Sequence, residues 1–318
     1  KNILKVAHNI KPIMRLFMDY LIVIKNNFFD SQLAAHLVNP ELKNYELNHL
    51  CLEYLNSEIS LKDSLTGKGR NKITLDKVSI DSIAQYSIER SDKNFELKTI
   101  LINKLKELKL FSYYSEIETP LLLVLVDMEL NGVYIDSEFL KDMSNKLNNK
   151  LNKLKTEIFK LSNMDFNINS SQQLANILFD NLDLPQIKKR STAEDVLKKL
   201  GSFHELPGKI IQYRKHNKLK TTYIDALPEL IIDETKRIHS TFNQTITSTG
   251  RLSSTNPNFQ NIPIRTKEGR EIRKAFCSQK KNWKIFSADY SQVELRIMAH
   301  MSKDPGLILA FKNKIDIH

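Results

Sequence analysis

The chain has 318 residues, 41 % hydrophobic and 27 % charged, with a net charge of +11. That length accommodates two or three domains, and the composition excludes collagen-like, low-complexity and disordered classes. No apolar run approaches the roughly 20 residues of a membrane helix, and Cys51 and Cys277 suggest neither a disulfide framework nor a zinc site.

The default setting is therefore reducing and intracellular. The chain starts at Lys1 rather than Met, so an N-terminal segment is expected to precede it. Leu21–Ile24 reads as a buried strand, and Asp30 as the cap of a helix over 31–38. Leu75–Tyr86 and Phe95–Leu110 read as two further helices. Gly67–Lys72 lacks the spacing of a phosphate-cradling loop and reads as a solvated basic loop. Leu121–Leu130 forms a helix that Asn131-Gly132 ends. Asp136 then caps a long helix with Leu140, Met143, Leu147, Leu151, Leu154, Ile158 and Leu161 on one seam. A return helix runs from about Pro207 to Ala226, before Pro228. Residues 206–224 carry Lys209, Arg214, Lys215, Lys218 and Lys220 and no acid, a nucleic-acid footprint by charge. Ile238–Ile246 alternates like a strand. Trp283, Ile285 and Phe286 suggest another, with Asp289 at its end. Ser291 and Glu294 then fit a capping box opening a helix. A carboxylate at a strand edge is well placed to meet a hard cation such as Mg²⁺.

The string Asp289-Tyr290-Ser291-Gln292-Val293-Glu294-Leu295-Arg296 resembles motif A of the family A DNA polymerases, the DNA polymerase I group. Thr249-Gly250-Arg251-Leu252-Ser253-Ser254-Thr255-Asn256-Pro257-Asn258-Phe259-Gln260-Asn261-Ile262-Pro263 matches a second family string, and a looser likeness covers almost the whole chain. The resemblance implies an α/β and α+β multidomain fold in three parts. Residues 1–113 would be part of a ribonuclease H-like 3′→5′ exonuclease domain, 114–240 the helical thumb and 241–318 the start of the polymerase palm. Active exonucleases of this group carry an acid in N-x-x-x-D and in Y-x-x-x-D. Here Asn9-Ile10-Lys11-Pro12-Ile13 ends in Ile and Tyr86-Ser87-Ile88-Glu89-Arg90 in Arg, so the exonuclease is expected to be inactive unless Glu89 or Asp92 substitutes.

The resemblance also implies roles. Asp289 would be catalytic and would hold metal together with the Tyr290 carbonyl, two Mg²⁺ ions being expected in the complete enzyme. Tyr290, Gln292, Glu294 and Arg265 would meet the incoming nucleotide, with Glu294 as the gate against a ribose 2′-hydroxyl. Arg251, Gln260, Asn261, Arg214, Lys218, Lys220, Thr221, Asn167 and Ser170 would contact DNA. The expected reaction is template-directed nucleotidyl transfer to a primer 3′-hydroxyl in replication or repair. The expected partners are primer–template DNA and deoxynucleoside triphosphates, with no membrane, for a monomer near the bacterial nucleoid or in an organelle. Asp316-Ile317-His318 resembles the beginning of the fingers, and no second catalytic Asp follows, so this chain alone is expected not to polymerise. The competing reading is a non-catalytic DNA-binding protein on the same scaffold. A single-subunit RNA polymerase is disfavoured by Glu294.

Overall fold

The computed structural model describes residues 3–24, 27–264 and 266–317. The fold is mostly helical, of α+β type, and divides into two compact units, Lys1–Phe276 and Cys277–His318.

The first unit holds three apolar clusters. In the first, strand Lys5–Ala7 pairs in parallel with Phe28–Asp30, and helix Lys11–Asp19 connects them. Asp30 closes its strand and caps helix Ser31–Val38 by accepting from Gln32 N and Leu33 N at 2.9 and 3.1 Å. Its other oxygen accepts from Ile10 N at 2.7 Å. Burial pushes the Asp30 pKa up, and these backbone bonds oppose the shift. Leu97, Leu101 and Leu105, four apart on helix Ile80–Glu107, are fully buried against this cluster, which also takes in Tyr114, Leu122 and Val126.

Two readings are corrected here. Leu21–Ile24 is not a strand: Leu21 is 92 % exposed with φ +59°. The amides of Leu21 and Ile22 bond back to the Met18 and Phe17 carbonyls at 2.9 Å, a turn that closes the preceding helix and turns these apolar side chains outward. The helices read at 75–86 and 95–110 are one element, Ile80–Glu107, capped by Ser79. Residues 87–94 contain no Gly or Pro to break it, and only a single 3-10 turn remains at Leu75–Lys77.

His8 sits beside Ser31, with Nδ1 to Oγ 3.0 Å, and burial together with Arg90 pushes its pKa down to about 4. The unfolded chain binds a proton here near pH 6.5 and the folded chain does not, so this contribution to stability is full above that pH and is lost as pH falls toward 4. A His8→Gln variant should flatten the urea midpoint between pH 6.5 and about 4 relative to the parent. An unchanged slope would show that His8 titrates alike in both states.

Helix Thr119–Asn131 ends at Gly132, φ +60°, where a Cβ would lie 2.7 Å from the Ile238 carbonyl oxygen. Only glycine fits both the left-handed backbone and that approach. Strand Val133–Tyr134 then pairs antiparallel with Arg237–Ile238. Asp136 caps helix Ser137–Ser162 by accepting from Phe139 N at 2.9 Å. The seam forms: Leu140, Leu147, Leu151, Leu154 and Ile158 are buried, and the helix packs along Glu205–Leu219. The return helix departs from its expected bounds. It starts at Glu205, where the His204 ring accepts from Leu206 N, and widens into a π-turn over Lys220–Ile224. Pro228 lies inside a further short helix, Ala226–Glu229, near its start, where its missing N–H breaks no helical bond. The strand read at 238–246 is confined to Arg237–Ile238 and Thr241–Asn243, and the latter pairs antiparallel with Ser253–Thr255.

In the second unit, residues 283–290 have no regular structure, and helices Val293–Ser302 and Pro305–Lys312 follow. The strand expected at 283–286 is not formed. A strand exists through bonds to a neighbour, and among the described residues none pairs with it. The capping box is not formed either. Gln292, at φ +53°, occupies the position before the helix and makes no side-chain cap. Ser291 lies one residue too early to cap, and its carbonyl accepts from Arg296 Nε instead.

Candidate nucleic-acid interface

The acid-free run of the return helix faces a groove of about 370 Å³. Arg214, Lys215 and Lys218 line one side, and Tyr223, Asn261 and Thr266 are also in its wall. Arg214 is half-buried and donates from Nη1 to the Thr192 carbonyl at 2.7 Å, which fixes its direction. Lys215 and Lys218 are exposed. Lys220 behaves differently. Its Nζ lies 2.6 Å from Asp225 Oδ2, while Asp225 Oδ1 accepts from Ser144 Oγ at 2.7 Å. Asp225 stands one residue beyond the acid-free run, and the π-turn brings it back onto Lys220. Thr221 donates to the Asn217 carbonyl at 3.0 Å, one turn back.

The turn at 167–170 is built by its own polar groups. Asn167 Oδ1 accepts from Asn169 N at 3.0 Å, and Ser170 Oγ caps helix Ser171–Asn176 by accepting from Gln173 N at 3.3 Å. Asn217 Nδ2 reaches Asn169 Oδ1 at 3.4 Å, and the Tyr223 hydroxyl donates to the Asn261 carbonyl at 2.6 Å. The return helix is thus bonded to this turn through one residue and to the 259–261 turn through another. Gln260 is held by its own loop, with one N–H left over: Nε2 donates to the Leu252 carbonyl at 2.8 Å, and Oε1 accepts from Ser254 N at 3.3 Å. Arg251 is exposed beside it. Arg265 lies outside the described residues.

In the second unit, Asp289 and Glu294 are exposed, and Tyr290 is 83 % exposed. Gln292 Nε2 donates to Asp316 Oδ1, which pins the turn before helix Val293–Ser302. An exposed carboxylate beside a backbone carbonyl suits a hard cation. Among the described residues, however, no three His, Cys, Asp or Glu side chains are grouped so as to hold a metal ion. Asp289 and Tyr290 alone do not make a coordination shell.

In the first unit, Ile13 is 39 % exposed on helix Lys11–Asp19, and the Arg90 guanidinium lies 5.0 Å from the centre of the Tyr86 ring, one turn away on the same helix. Glu89 accepts from Ser60 N at 2.9 Å, which draws its pKa below the usual carboxylate range.

Lys215 and Thr266 line the groove but were not among the expected contacts. Lys215 sits inside the acid-free run and carried a charge signal. Thr266 had none, because only the folded chain brings it to the groove. Among the described residues, no helix is long and apolar enough to cross a membrane.

Comparisons with known proteins bear on this arrangement. The family model for DNA polymerase family A matches residues 137–318. DNA polymerase I of Borreliella burgdorferi is 44 % identical over 310 residues, covering 94 % of this chain and 34 % of that protein. DNA polymerase I of Bacillus subtilis is 40 % identical over 301 residues, covering 93 % of this chain and 34 % of that protein. The chain therefore spans about a third of the length of these curated relatives. Among solved structures, the POL domain of Pol1 from M. smegmatis, in complex with DNA primer-template and dNTP, superposes with a TM-score of 0.83 at 32 % identity. The match covers 99 % of this chain and 53 % of that one.

Proposed function

Because the chain belongs to DNA polymerase family A, we propose that it forms part of a DNA-directed DNA polymerase that extends a primer 3′-hydroxyl with deoxynucleoside triphosphates, in replication or repair. The observation that carries this reading is the string Asp289–Arg296 within the matched stretch. In this reading residues 1–113 are an exonuclease-like domain without exonuclease activity, 114–240 the thumb and 241–318 the start of the palm. Ile13 and Arg90, which cannot ligate a cation, support the first assignment. The packed pair Ser137–Ser162 and Glu205–Leu219 supports the second.

The thumb face acts by charge. Arg214, Lys215 and Lys218 sit on phosphates, where they hold duplex in place without reading its sequence. Asn167, Ser170 and Thr221 offer hydroxyl and amide groups beside them. Arg251, Gln260 and Asn261 meet the primer terminus and the template strand. A minor-groove arginine tests base-pair geometry there, because acceptors in that groove are shared by all pairs. Tyr290, Gln292, Glu294 and Arg265 surround the incoming nucleotide, and Asp289 supplies one carboxylate to the reaction centre. Mg²⁺ is the expected cation. Asp289 and the Tyr290 carbonyl are the groups of this chain that would hold it, and no group of three His, Cys, Asp or Glu side chains among the described residues completes a donor set.

Lys218 and Lys220 separate under test. Lys218→Ala should lower the salt slope of duplex binding by about one unit, measured as log K against log salt concentration. Lys220→Ala should lower it by less, because Lys220 Nζ is already paired with Asp225. Unchanged slopes in both would remove the return helix from the DNA-binding role.

A further inference from the structure

The first 136 residues lie outside the stretch that the family model matches. Three of their side chains nevertheless bond to Phe242 or Gln244, on the way into the Thr249–Pro263 loop. Glu129 is 1 % exposed, and its Oε1 accepts from Phe242 N at 2.8 Å and from Lys11 Nζ at 2.5 Å. Lys11, itself 8 % exposed, also donates to the Phe242 carbonyl. One buried ion pair thus takes both the N–H and the C=O of a single residue. Phe242 stands opposite Ser254 in the antiparallel ladder. The second edge of strand Thr241–Asn243 would otherwise present unpaired groups, and at Phe242 the ion pair occupies the place of a third strand.

Two further residues, Gln244 and His239, reinforce the edge. Gln244 Nε2 donates to Glu118 Oε2 at 2.5 Å and to the Glu118 carbonyl at 3.0 Å, and Tyr113 holds the other oxygen of Glu118 at 2.9 Å. His239 Nδ1 lies 2.8 Å from the Glu129 carbonyl. Across the ladder, Ser254 N donates to Gln260 Oε1, and Ser254 Oγ accepts from Phe259 N at 3.1 Å. With both backbone groups of Phe242 turned to the ion pair, the link across the ladder passes through its neighbours: Ser240 Oγ lies 2.8 Å from Ser254 Oγ, and Asn243 Nδ2 donates to Thr255 Oγ1 at 3.0 Å.

We propose that Lys11 and Glu129 are positioning residues: through the Phe242 peptide they hold the 253–261 turn, and with it Gln260, in the register that meets the primer–template junction. The proposal rests on the polymerase reading for its consequence, though not for its geometry. A buried ion pair is a weak source of stability but a strong specifier of arrangement when both partners are bonded. Here each charge has a backbone partner on Phe242 as well as its counter-ion. The first segment then acts on the loop as a brace, independently of any nuclease chemistry.

Hydrogen exchange on the whole chain tests this. In Lys11→Met, amides of 241–243 and 253–261 should exchange at least about tenfold faster, while those of 174–210 stay as in the parent. The double variant Lys11→Met with Glu129→Gln removes both charges and keeps an acceptor for Phe242 N–H, so it should restore most of that protection. Parent and variants are also titrated with a primer–template and a blunt duplex of equal length. The single variant should lose the preference for the junction, and the double variant should regain it. Unchanged exchange at 253–261 in a folded Lys11→Met chain overturns the brace. Faster exchange at 174–210 as well marks general destabilisation and also overturns it. Faster exchange confined to the loop, in a parent without junction preference, keeps the brace and removes the assigned contact of Gln260 with DNA.

Discussion

Replacing Asp289 with Ala in the gene product that carries this chain should lower the rate of nucleotide addition at least about 10³-fold, or ~4 kcal/mol of transition-state stabilisation. Binding of primer–template should change little. Asp289 is exposed and has no buried contact to lose, so the substitution should leave stability within roughly 0.5 kcal/mol. In the proposed reading the gripping groups lie on the return helix and the 251–261 loop instead. Single-turnover kinetics separate the two effects: kcat collapses while the Kd for DNA holds. A variant that loses DNA binding in parallel would show that Asp289 serves the scaffold. A variant that still extends primers at the parental rate would remove it from the reaction centre.

Glu294→Ala should change selectivity rather than speed. Filling the space where a 2′-hydroxyl would sit discriminates by about 10²-fold, the order that shape alone achieves against one added hydroxyl. Truncating that side chain should therefore bring ribonucleotide incorporation up toward the deoxynucleotide level. The ratio of kcat/KM for a matched ribo- and deoxynucleotide pair measures it. Glu294 stands in the first turn of helix Val293–Ser302, where a carboxylate also favours the helix dipole. Glu294→Gln keeps the volume and removes the charge. If Glu294→Gln retains discrimination while Glu294→Ala loses it, exclusion is by bulk. Equal discrimination in all three proteins would assign Glu294 to the helix terminus alone.

Much of the first unit was legible because its signals are local. Asp30, Asp136 and Gly132 mark helix ends by their own backbone chemistry, and each does so in the structure. The seam from Leu140 to Ile158 is a periodic signal, and burial follows it. The two misread strands share one cause. Leu21–Ile24 and Trp283–Phe286 have strand composition, but a strand needs a neighbour, and composition does not supply one. Lys220 was read from its own helix. Its partner Asp225 comes into reach only through the π-turn. Motif A was legible as a string, not as geometry. Its order of residues pointed to the family, whereas the expected strand and capping box around it did not form. Lys11 and Glu129 gave the weakest signal of all. An acid near the end of an apolar helix reads as a surface residue until Lys11, 118 positions away, is placed on it.

We propose that this chain carries both the motif A part of a polymerase site and an exonuclease-like domain without activity. A primer-extension assay on the gene product that carries it, with Mg²⁺ and with or without deoxynucleotides, tests both parts at once. Lengthening is expected when nucleotides are present, and an unchanged primer when they are absent. Shortening without nucleotides would contradict the reading of Ile13 and Arg90, and an unextended primer that is still bound would contradict the polymerase reading itself.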